Sequence, residues 1–228
     1  MRKFFLSALL AALLLPALAL AGGNTTNDSF SHAKKMLGQV YADHRVTFYC
    51  GTEYDAQGVI TLPDGFTTPK HEKRAGRIEW EHALPAENFG QTFAEWRDGA
   101  PECVHKGKAF RGRKCAEKVN AEYRLMQADM YNLYPSIGAV NAMRSNFNYA
   151  MLAGEQPTFG TCEMKVTDRK AEPPTRARGQ IARTYFYMSV RMMTPAPLSS
   201  RCAASVRRRT VSETSCATST LMELQSLC

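Results

Sequence analysis

A glutamate and a histidine stand side by side at the end of the segment Arg77-Ile-Glu-Trp-Glu-His82, and an asparagine follows much later at position 141. Cutting a phosphodiester needs a base that activates water and positive charge that stabilises the phosphorane and the leaving oxygen. One Mg²⁺ ion supplies such charge, and it takes oxygen ligands from one or two side chains. Glu81 and Asn141 offer those oxygens, and a neutral His82, with an ordinary pKa near ~6.5, can act as the general base. The pattern indicates hydrolysis assisted by one metal ion.

The same Glu-His pair also fits a solvated acid beside an ordinary hydrogen-bonded histidine, and this alternative stays open. Residues 77–82 alternate as a strand does, and neighbours on a strand point to opposite faces. Glu81 and His82 can therefore share one site only where the strand ends or bulges. Pro85, three positions later, favours such an end.

The chain opens with a secretory signal. Arg2 and Lys3 precede an apolar run through Leu20, which closes on the small-x-small pattern Ala19-Leu20-Ala21. This run is shorter than the ~20 residues that a bilayer span needs, and a proline interrupts it. We expect residues 1–21 to be removed, leaving a monomer in the periplasm or the medium with no membrane anchoring.

The remaining chain is long enough for one domain and carries a basic charge. Removing 21 of the 228 residues leaves 207, and losing Arg2 and Lys3 lowers the net charge from +8 to +6. A basic exported protein suits polyanions, but charge alone favours nucleic acid, anionic lipid and heparin-like partners about equally.

Export also favours disulfides for the seven cysteines, whose odd number leaves at least one unpaired within the chain. Cys103 and Cys115 bracket a short basic segment, and they are the candidate pair that the sequence offers.

Apolar spacing predicts four helices and four strands. The helices are expected over residues 30–42, 121–132 and 178–188, with another starting near Pro135 and carrying Asn141 and Arg144 on one face. Strands are expected at residues 46–50, 59–62, 77–82 and 164–166. Residues 97–120, which are basic and contain several glycines, have the composition of a loop.

Three separated blocks follow one another in a specific order. They are Arg77-Ile-Glu-Trp-Glu-His-Ala-Leu-Pro-Ala86, Asp129-Met-Tyr-Asn-Leu-Tyr-Pro-Ser-Ile-Gly-Ala-Val-Asn-Ala-Met-Arg-Ser-Asn146, and Pro173-Pro174 with Arg176-Ala-Arg-Gly-Gln-Ile-Ala-Arg-Thr-Tyr-Phe-Tyr-Met188. Over residues 30–188 the chain resembles the bacterial endonuclease I family. The resemblance implies an α+β fold, with mixed helices and short strands around a ββα-metal (His-Me finger) nuclease core. It also implies cleavage of DNA, and of RNA too, without strong sequence preference.

The resemblance assigns roles to individual residues. It implies that Glu81 and Asn141 bind one Mg²⁺ ion, for which Mn²⁺ or Ca²⁺ could substitute, and that His82 is the base. Arg113, in the Gly-Arg-Lys segment, matches the arginine that contacts the cleaved phosphate. Arg111, close by in the same loop, competes for that role.

Two features depart from the family pattern. Many relatives have a glutamate next to the active site at the position of Gln127. A glutamine cannot deliver a proton. Residues 190–228 are rich in Ser, Thr and Arg, and no Trp follows Trp96. We therefore predict a signal peptide at 1–21, a nuclease domain at 22–189 and an atypical C-terminal tail at 190–228, with a frameshift as the hypothesis for the tail.

Two other functions stay open from the sequence. One is an exported DNA-binding protein without catalysis, in which the basic segment grips a duplex. The other is a zinc hydrolase, which would need three or four His, Cys or carboxylate ligands. No cluster with ligand spacing surrounds His82 in the sequence.

Overall fold

The computed structural model describes residues 23–193 and has the predicted α+β architecture. The helices are α1 (Phe30–Val40), α2 (Glu72–Ala75), α3 (Ala86–Gly90), α4 (Ala94–Arg97), α5 (Arg113–Val119), α6 (Ala121–Gln127), α7 (Gly138–Arg144) and α8 (Thr175–Met193), with a 3₁₀ turn at Met130–Asn132. The strands are β1 (Ile78–His82), β2 (Val104–His105), β3 (Lys108–Ala109), β4 (Leu133–Ile137), β5 (Asn148–Tyr149), β6 (Lys165–Thr167) and β7 (Lys170–Glu172).

An antiparallel pair of strands followed directly by a helix organises the molecule. β1 pairs with β4 over its whole length, with Ile78 opposite Ile137 and His82 opposite Leu133. Helix α7 begins at Gly138, where an added Cβ would lie 2.5 Å from the carbonyl oxygen of Arg74. A glycine is therefore required for the helix to approach this closely, and the approach brings α7 back beside β1.

Two apolar clusters hold these elements in place. The larger cluster includes Phe89, Tyr123, Met126, Ile137, Val140, Phe159, Met164, Ile181 and Met188. The smaller one joins Ala33 and Leu37 of α1 to Ala128 and Leu133. Burying a large apolar side chain contributes about 1.5–3 kcal/mol, so the second cluster fixes α1 against the end of β4.

Two disulfides join distant and local parts of the chain. The candidate pair Cys103–Cys115 is confirmed, with its Cα atoms 5.4 Å apart. A second bridge, Cys50–Cys162, was not predicted, and its Cα atoms lie 5.0 Å apart. The remaining cysteines, at positions 202, 216 and 228, lie outside the described residues.

The prediction of a loop for residues 97–120 is wrong. This segment contains the β2–β3 hairpin and helix α5. Arg113, Lys114 and Lys118 are exposed on α5, whereas Cys115 and Ala116 of the same helix are completely buried. A helix of seven residues with so few buried positions leaves little apolar periodicity in the sequence.

The predicted helix start at Pro135 and Ser136 is also wrong, because both residues belong to β4. Proline lacks an N–H donor, yet β4 lies in a two-stranded sheet and can accommodate it at an edge. Residues 46–50 likewise form no strand, and only an isolated bridge joins Val46 to Glu53 there.

Helix α8 is longer than predicted and continues through Met193, into the segment assigned to the tail. The predicted signal peptide and residues 194–228 lie outside the described residues. Between residues 23 and 193, none of the helices combines the length and apolarity needed to cross a bilayer.

Candidate active site

A cavity of about 460 Å³ opens beside β1 and α7. Glu81 and His82 of β1, Asn141 of α7 and Arg113 of α5 all line it. The rest of the lining comes from α1, β1, Pro85 and the end of α7. The structure thus brings together the four residues that the sequence singled out for catalysis and metal binding.

Arg144, in the last turn of α7, holds the end of β1. Its Nη1 donates to Glu81 Oε1 and to the carbonyl oxygen of His82, both at 2.7 Å, and its Nη2 donates to the carbonyl oxygen of Ala83 at 2.6 Å. All of these contacts are buried. One guanidinium therefore fixes the backbone on which both candidate side chains stand.

The strand ends at His82, as the sequence analysis required if Glu81 and His82 were to share a site. Past this point the side chain of Asn132 binds the backbone in place of a strand partner. It accepts from Leu84 N at 2.7 Å and donates to Leu84 O at 2.9 Å. The chain bends away at Ala83 and Leu84 before Pro85. Both residues line one cavity although they are adjacent in the strand.

Glu81 is buried within a group of tyrosine and arginine side chains. Tyr49 donates its hydroxyl to Glu81 Oε1 at 2.6 Å and also contacts the hydroxyl of Tyr149. The guanidinium of Arg144 lies over the Tyr149 ring, 4.6 Å from its centroid. Burial raises the pKa of the Glu81 carboxyl, while Arg144 and the Tyr49 hydroxyl act against that rise. The donors converge on Oε1 and leave Oε2 without a hydrogen bond from any described residue.

The imidazole of His82 is oriented by a backbone oxygen. Its Nε2 lies 2.9 Å from the carbonyl oxygen of Gln127. Because a carbonyl oxygen only accepts, Nε2 carries the proton and Nδ1 is the ring nitrogen that can take one up. Burial, followed by the charge of Arg113, lowers the pKa of His82 to about 3. The imidazole is therefore neutral at neutral pH, which is the form that a general base needs.

Gln127 contributes through its backbone and not through its side chain. The side-chain amide donates to Glu117 at 3.1 Å and accepts from the buried Tyr123 hydroxyl at 3.1 Å. A glutamine in place of an acid at this position therefore keeps the hydrogen bond from His82, because that bond is to the backbone carbonyl oxygen, which every residue has.

Asn141 is oriented by a second glutamate of β1. Its Nδ2 donates to Glu79 Oε2 at 2.8 Å, and Arg74 holds the same carboxylate through Nε at 2.7 Å and through Nη2. A carboxylate accepts and cannot donate when ionised, so the amide nitrogen of Asn141 must face Glu79. The carbonyl oxygen Oδ1 then has no hydrogen bond to any described residue.

The structure separates the two arginines that competed for the phosphate-binding role. Arg113 lines the cavity, and its charge acts on His82. Arg111 instead donates to the backbone oxygen of Arg97 at 3.1 Å and is absent from the cavity lining. Of the two, Arg113 is the one placed beside the candidate base.

The oxygen atoms left in the lining suit a magnesium ion. Glu81 Oε2 and Asn141 Oδ1 are a carboxylate and an amide oxygen, which are the donors that Mg²⁺ accepts, and Mg²⁺ needs few protein ligands. Within residues 23–193, no three His, Cys, Asp or Glu side chains are grouped so that they could hold a metal ion. A site built from one carboxylate and one amide would not form such a group.

Several residues around the cavity were not assigned by sequence reasoning. They are Phe30, Lys34, Tyr49, Glu79, Arg144 and Tyr149. The spacing of Arg144, three positions after Asn141 on the same helix, was a signal that could have identified it. No local pattern marks Tyr49 or Tyr149, because their contacts with Glu81 and Arg144 exist only in the folded protein.

Comparisons with known proteins show which family this sequence resembles. The sequence profile of the Endonuclease I family matches residues 24–214. An extracellular deoxyribonuclease of Aeromonas hydrophila is 41% identical over 168 residues, covering 71% of this chain and 68% of that protein. A periplasmic deoxyribonuclease of the same species is 38% identical over 167 residues, covering 70% and 65%. Endonuclease-1 of Buchnera aphidicola subsp. Acyrthosiphon pisum is 36% identical over 170 residues, covering 72% and 63%.

The names of these relatives confirm the predicted location in the periplasm or outside the cell. The region matched by the family profile contains every residue that lines the cavity. From this match and from the identity to the relatives, we conclude that the chain belongs to the endonuclease I family and is a nuclease.

Proposed function

We propose that the protein is an exported, Mg²⁺-dependent endonuclease that hydrolyses phosphodiester bonds of DNA, and of RNA too, without sequence preference. The observation that carries this proposal is the cavity that contains His82, Glu81, Asn141 and Arg113. Relatives named extracellular and periplasmic deoxyribonucleases support DNA as the substrate. The candidate residues would contact phosphate, metal and water and not the bases. Such contacts are the same at every position of a strand, so they give no sequence preference.

In this proposal β1, β4 and α7 form the ββα-metal unit that the family resemblance implies. β1 carries Glu81 and His82, β4 supports it, and α7 carries Asn141. Glu81 and Asn141 would hold Mg²⁺, which supplies positive charge to the phosphorane and to the leaving oxygen.

His82 activates the attacking water. Nδ1 takes a proton from the water as the water oxygen attacks phosphorus in line. The P–O bond opposite the attacking oxygen breaks, and the departing oxygen takes the bonding electron pair and then a proton from solvent water. The carbonyl oxygen of Gln127 keeps the ring in place and stabilises the imidazolium through Nε2–H. Arg113 binds the phosphate, and the bound anion offsets the arginine charge that lowers the His82 pKa. The base consequently becomes stronger when substrate is present.

A supercoiled plasmid tests this function. The mature protein should nick and linearise it in Mg²⁺ and leave it intact in EDTA. His82→Ala should lower cleavage by a factor of about 10²–10⁴, the range typical of a general base. DNA binding, measured in EDTA, should persist in this variant because the basic surface remains. His44→Ala, which removes an exposed histidine outside the cavity, should keep parental activity.

Cleavage by His82→Ala at the parental rate would remove histidine as the base. Salt-sensitive binding by the wild-type protein, with plasmid left intact in Mg²⁺, would instead select the non-catalytic DNA-binding alternative for this chain.

A further inference from the structure

Two cations in the lining of the active-site cavity have no acidic partner among residues 23–193. Of the two glutamates there, Glu79 pairs with Arg74 and Glu81 pairs with Arg144. Lys34 and Arg113 form no ion pair with any residue between 23 and 193. They come from α1 and α5 and line the same space. Arg113 has a proposed role at the scissile phosphate, and Lys34 has none.

The ammonium of Lys34 lies over an aromatic ring that packs against the imidazole of the candidate base. Its Nζ lies 4.7 Å from the centroid of the Phe30 ring, and that ring lies 5.1 Å from the imidazole of His82. Ser29 caps the helix that carries both side chains, and the buried Ala33 and Leu37 anchor it. The positive charge is therefore kept at the cavity by a packed helix.

We propose that Lys34 binds the phosphate next to the scissile one, so that the cavity holds two consecutive phosphates of one strand, one at Arg113 and the other at Lys34. The inference rests on the proposed function, because it concerns the same substrate in the same cavity. Space allows it, since the cavity of about 460 Å³ lies within the range of roughly 300–1,000 Å³ typical of sites for ligands much larger than one phosphate.

The two residue types suit the two tasks. A guanidinium binds phosphate through a fixed fork and sets its orientation, as the reacting phosphate requires. An ammonium is a compact point charge on a flexible stem, so it tolerates variation in the position of the neighbouring phosphate. Since phosphates are present at every step of a strand, such a contact adds affinity without adding sequence preference.

Duplex oligonucleotides with altered charge can test this pairing. In one substrate every linkage is a phosphodiester, and in the other every second linkage is a neutral methylphosphonate, so that no cleavable bond has a charged neighbour. Lys34→Ala should lower kcat/KM about tenfold on the first substrate, the size expected for one charge-assisted contact. On the second substrate the same variant should match the wild-type protein, because the phosphate that Lys34 binds carries no charge.

Lys35→Ala provides the matched control, since Lys35 is an exposed neighbour on the same helix and does not line the cavity. It should behave as wild type on both substrates, and Lys34→Arg should restore most of the activity lost in Lys34→Ala. Thermal unfolding of each variant shows whether the fold is kept.

A loss of equal size on both substrates would overturn the proposal, because Lys34 would then act on the chemistry or on the fold. So would a Lys34→Ala protein that matches Lys35→Ala on the fully charged substrate. A wild-type protein that cuts neither substrate in Mg²⁺ would overturn the proposed function itself, which is a different result.

Discussion

β1 carries two glutamates, two positions apart, and each pairs with an arginine from a helix. The two pairs differ in their exposure to solvent. In the pair of Glu79 and Arg74 the side chains are 32% and 44% exposed, whereas in the pair of Glu81 and Arg144 they are 3% and 1% exposed. The charges are the same in both pairs. The pairs differ in how much of their hydration is lost when the protein folds.

That difference separates two kinds of contribution to the site. A pair that keeps its water gains little free energy, but it can still orient a neighbour, as Glu79 does for the amide of Asn141. Removing one partner of a buried pair greatly lowers the free energy of unfolding, because the other partner is left as a buried, unpaired charge. Arg144 also binds the carbonyl oxygens of His82 and Ala83, so the buried pair is part of the strand end itself.

The largest expected effect comes from removing the buried arginine. Arg144→Met should lower the free energy of unfolding by about 3–5 kcal/mol, since Glu81 would remain buried without its partner. Cleavage should be lost as well, because the carbonyl oxygens at the end of β1 would no longer be held. Urea denaturation and plasmid digestion measure the two effects.

Arg74→Met supplies the comparison on the same strand, and it should cost only about 0–1 kcal/mol because its pair is open to solvent. Equal losses of stability in the two variants would mean that exposure does not distinguish the pairs.

Much of this site was predictable from the sequence. The Glu-His pair, the distant Asn141 and Arg113 were identified by residue chemistry and by family resemblance, and all of them line one cavity. Strand β1 was predicted because its alternation is regular, and the strand indeed ends where Glu81 and His82 must diverge from ideal geometry. Each of these features is marked by a short local segment, although the segments themselves lie far apart in the chain.

The rest depends on contacts between distant segments. No local pattern shows that Arg144 is buried, that Tyr49 donates to Glu81, or that a Gln127 carbonyl oxygen orients His82. Pro135 resembles a helix start because proline is common there, and only the pairing with β1 makes it a strand residue. The sequence reasoning therefore found the candidate reacting groups, which line one cavity, and missed the groups that position them.

A smaller effect should follow from acidification of the metal-free protein. In the folded state the pKa of His82 is lowered to about 3, against an ordinary value of about 6.5. Between these values the unfolded chain binds a proton that the folded protein does not, so stability falls as the pH falls. From pH 7 to pH 5 the loss due to this residue should be about 2 kcal/mol. Denaturation in EDTA at several pH values measures it.

His82→Ala is the control for this effect. The variant has its own baseline stability, but its decrease between pH 7 and pH 5 should be smaller than that of the wild-type protein by the amount due to His82. Parallel curves for the two proteins would show that the imidazole is not held in its neutral form by burial. Such a result would also extend the comparison, because His82 would then behave as an exposed group although it lies beside the buried pair.

The smallest effect should come from the exposed pair and should concern the metal requirement rather than the fold. Glu79→Ala removes the acceptor that fixes the amide of Asn141, so Oδ1 would face the proposed Mg²⁺ site for only part of the time. Loss of a group that orients a ligand commonly weakens metal affinity 10- to 100-fold, and for this partly exposed contact we expect about tenfold. A Mg²⁺ titration of plasmid cleavage measures the shift, with Asn141→Ala as its upper limit.

The stability of Glu79→Ala should fall by no more than about 1 kcal/mol, because its ion pair with Arg74 is open to solvent. Arg74→Ala should shift the Mg²⁺ titration less, because Glu79 would still accept from Asn141 without its arginine. If Glu79→Ala lost stability but kept the parental Mg²⁺ titration, Glu79 would serve the fold and not the metal site. The two glutamate–arginine pairs would then differ only in how much stability each contributes. The orientation of Asn141 would have to come from α7 alone.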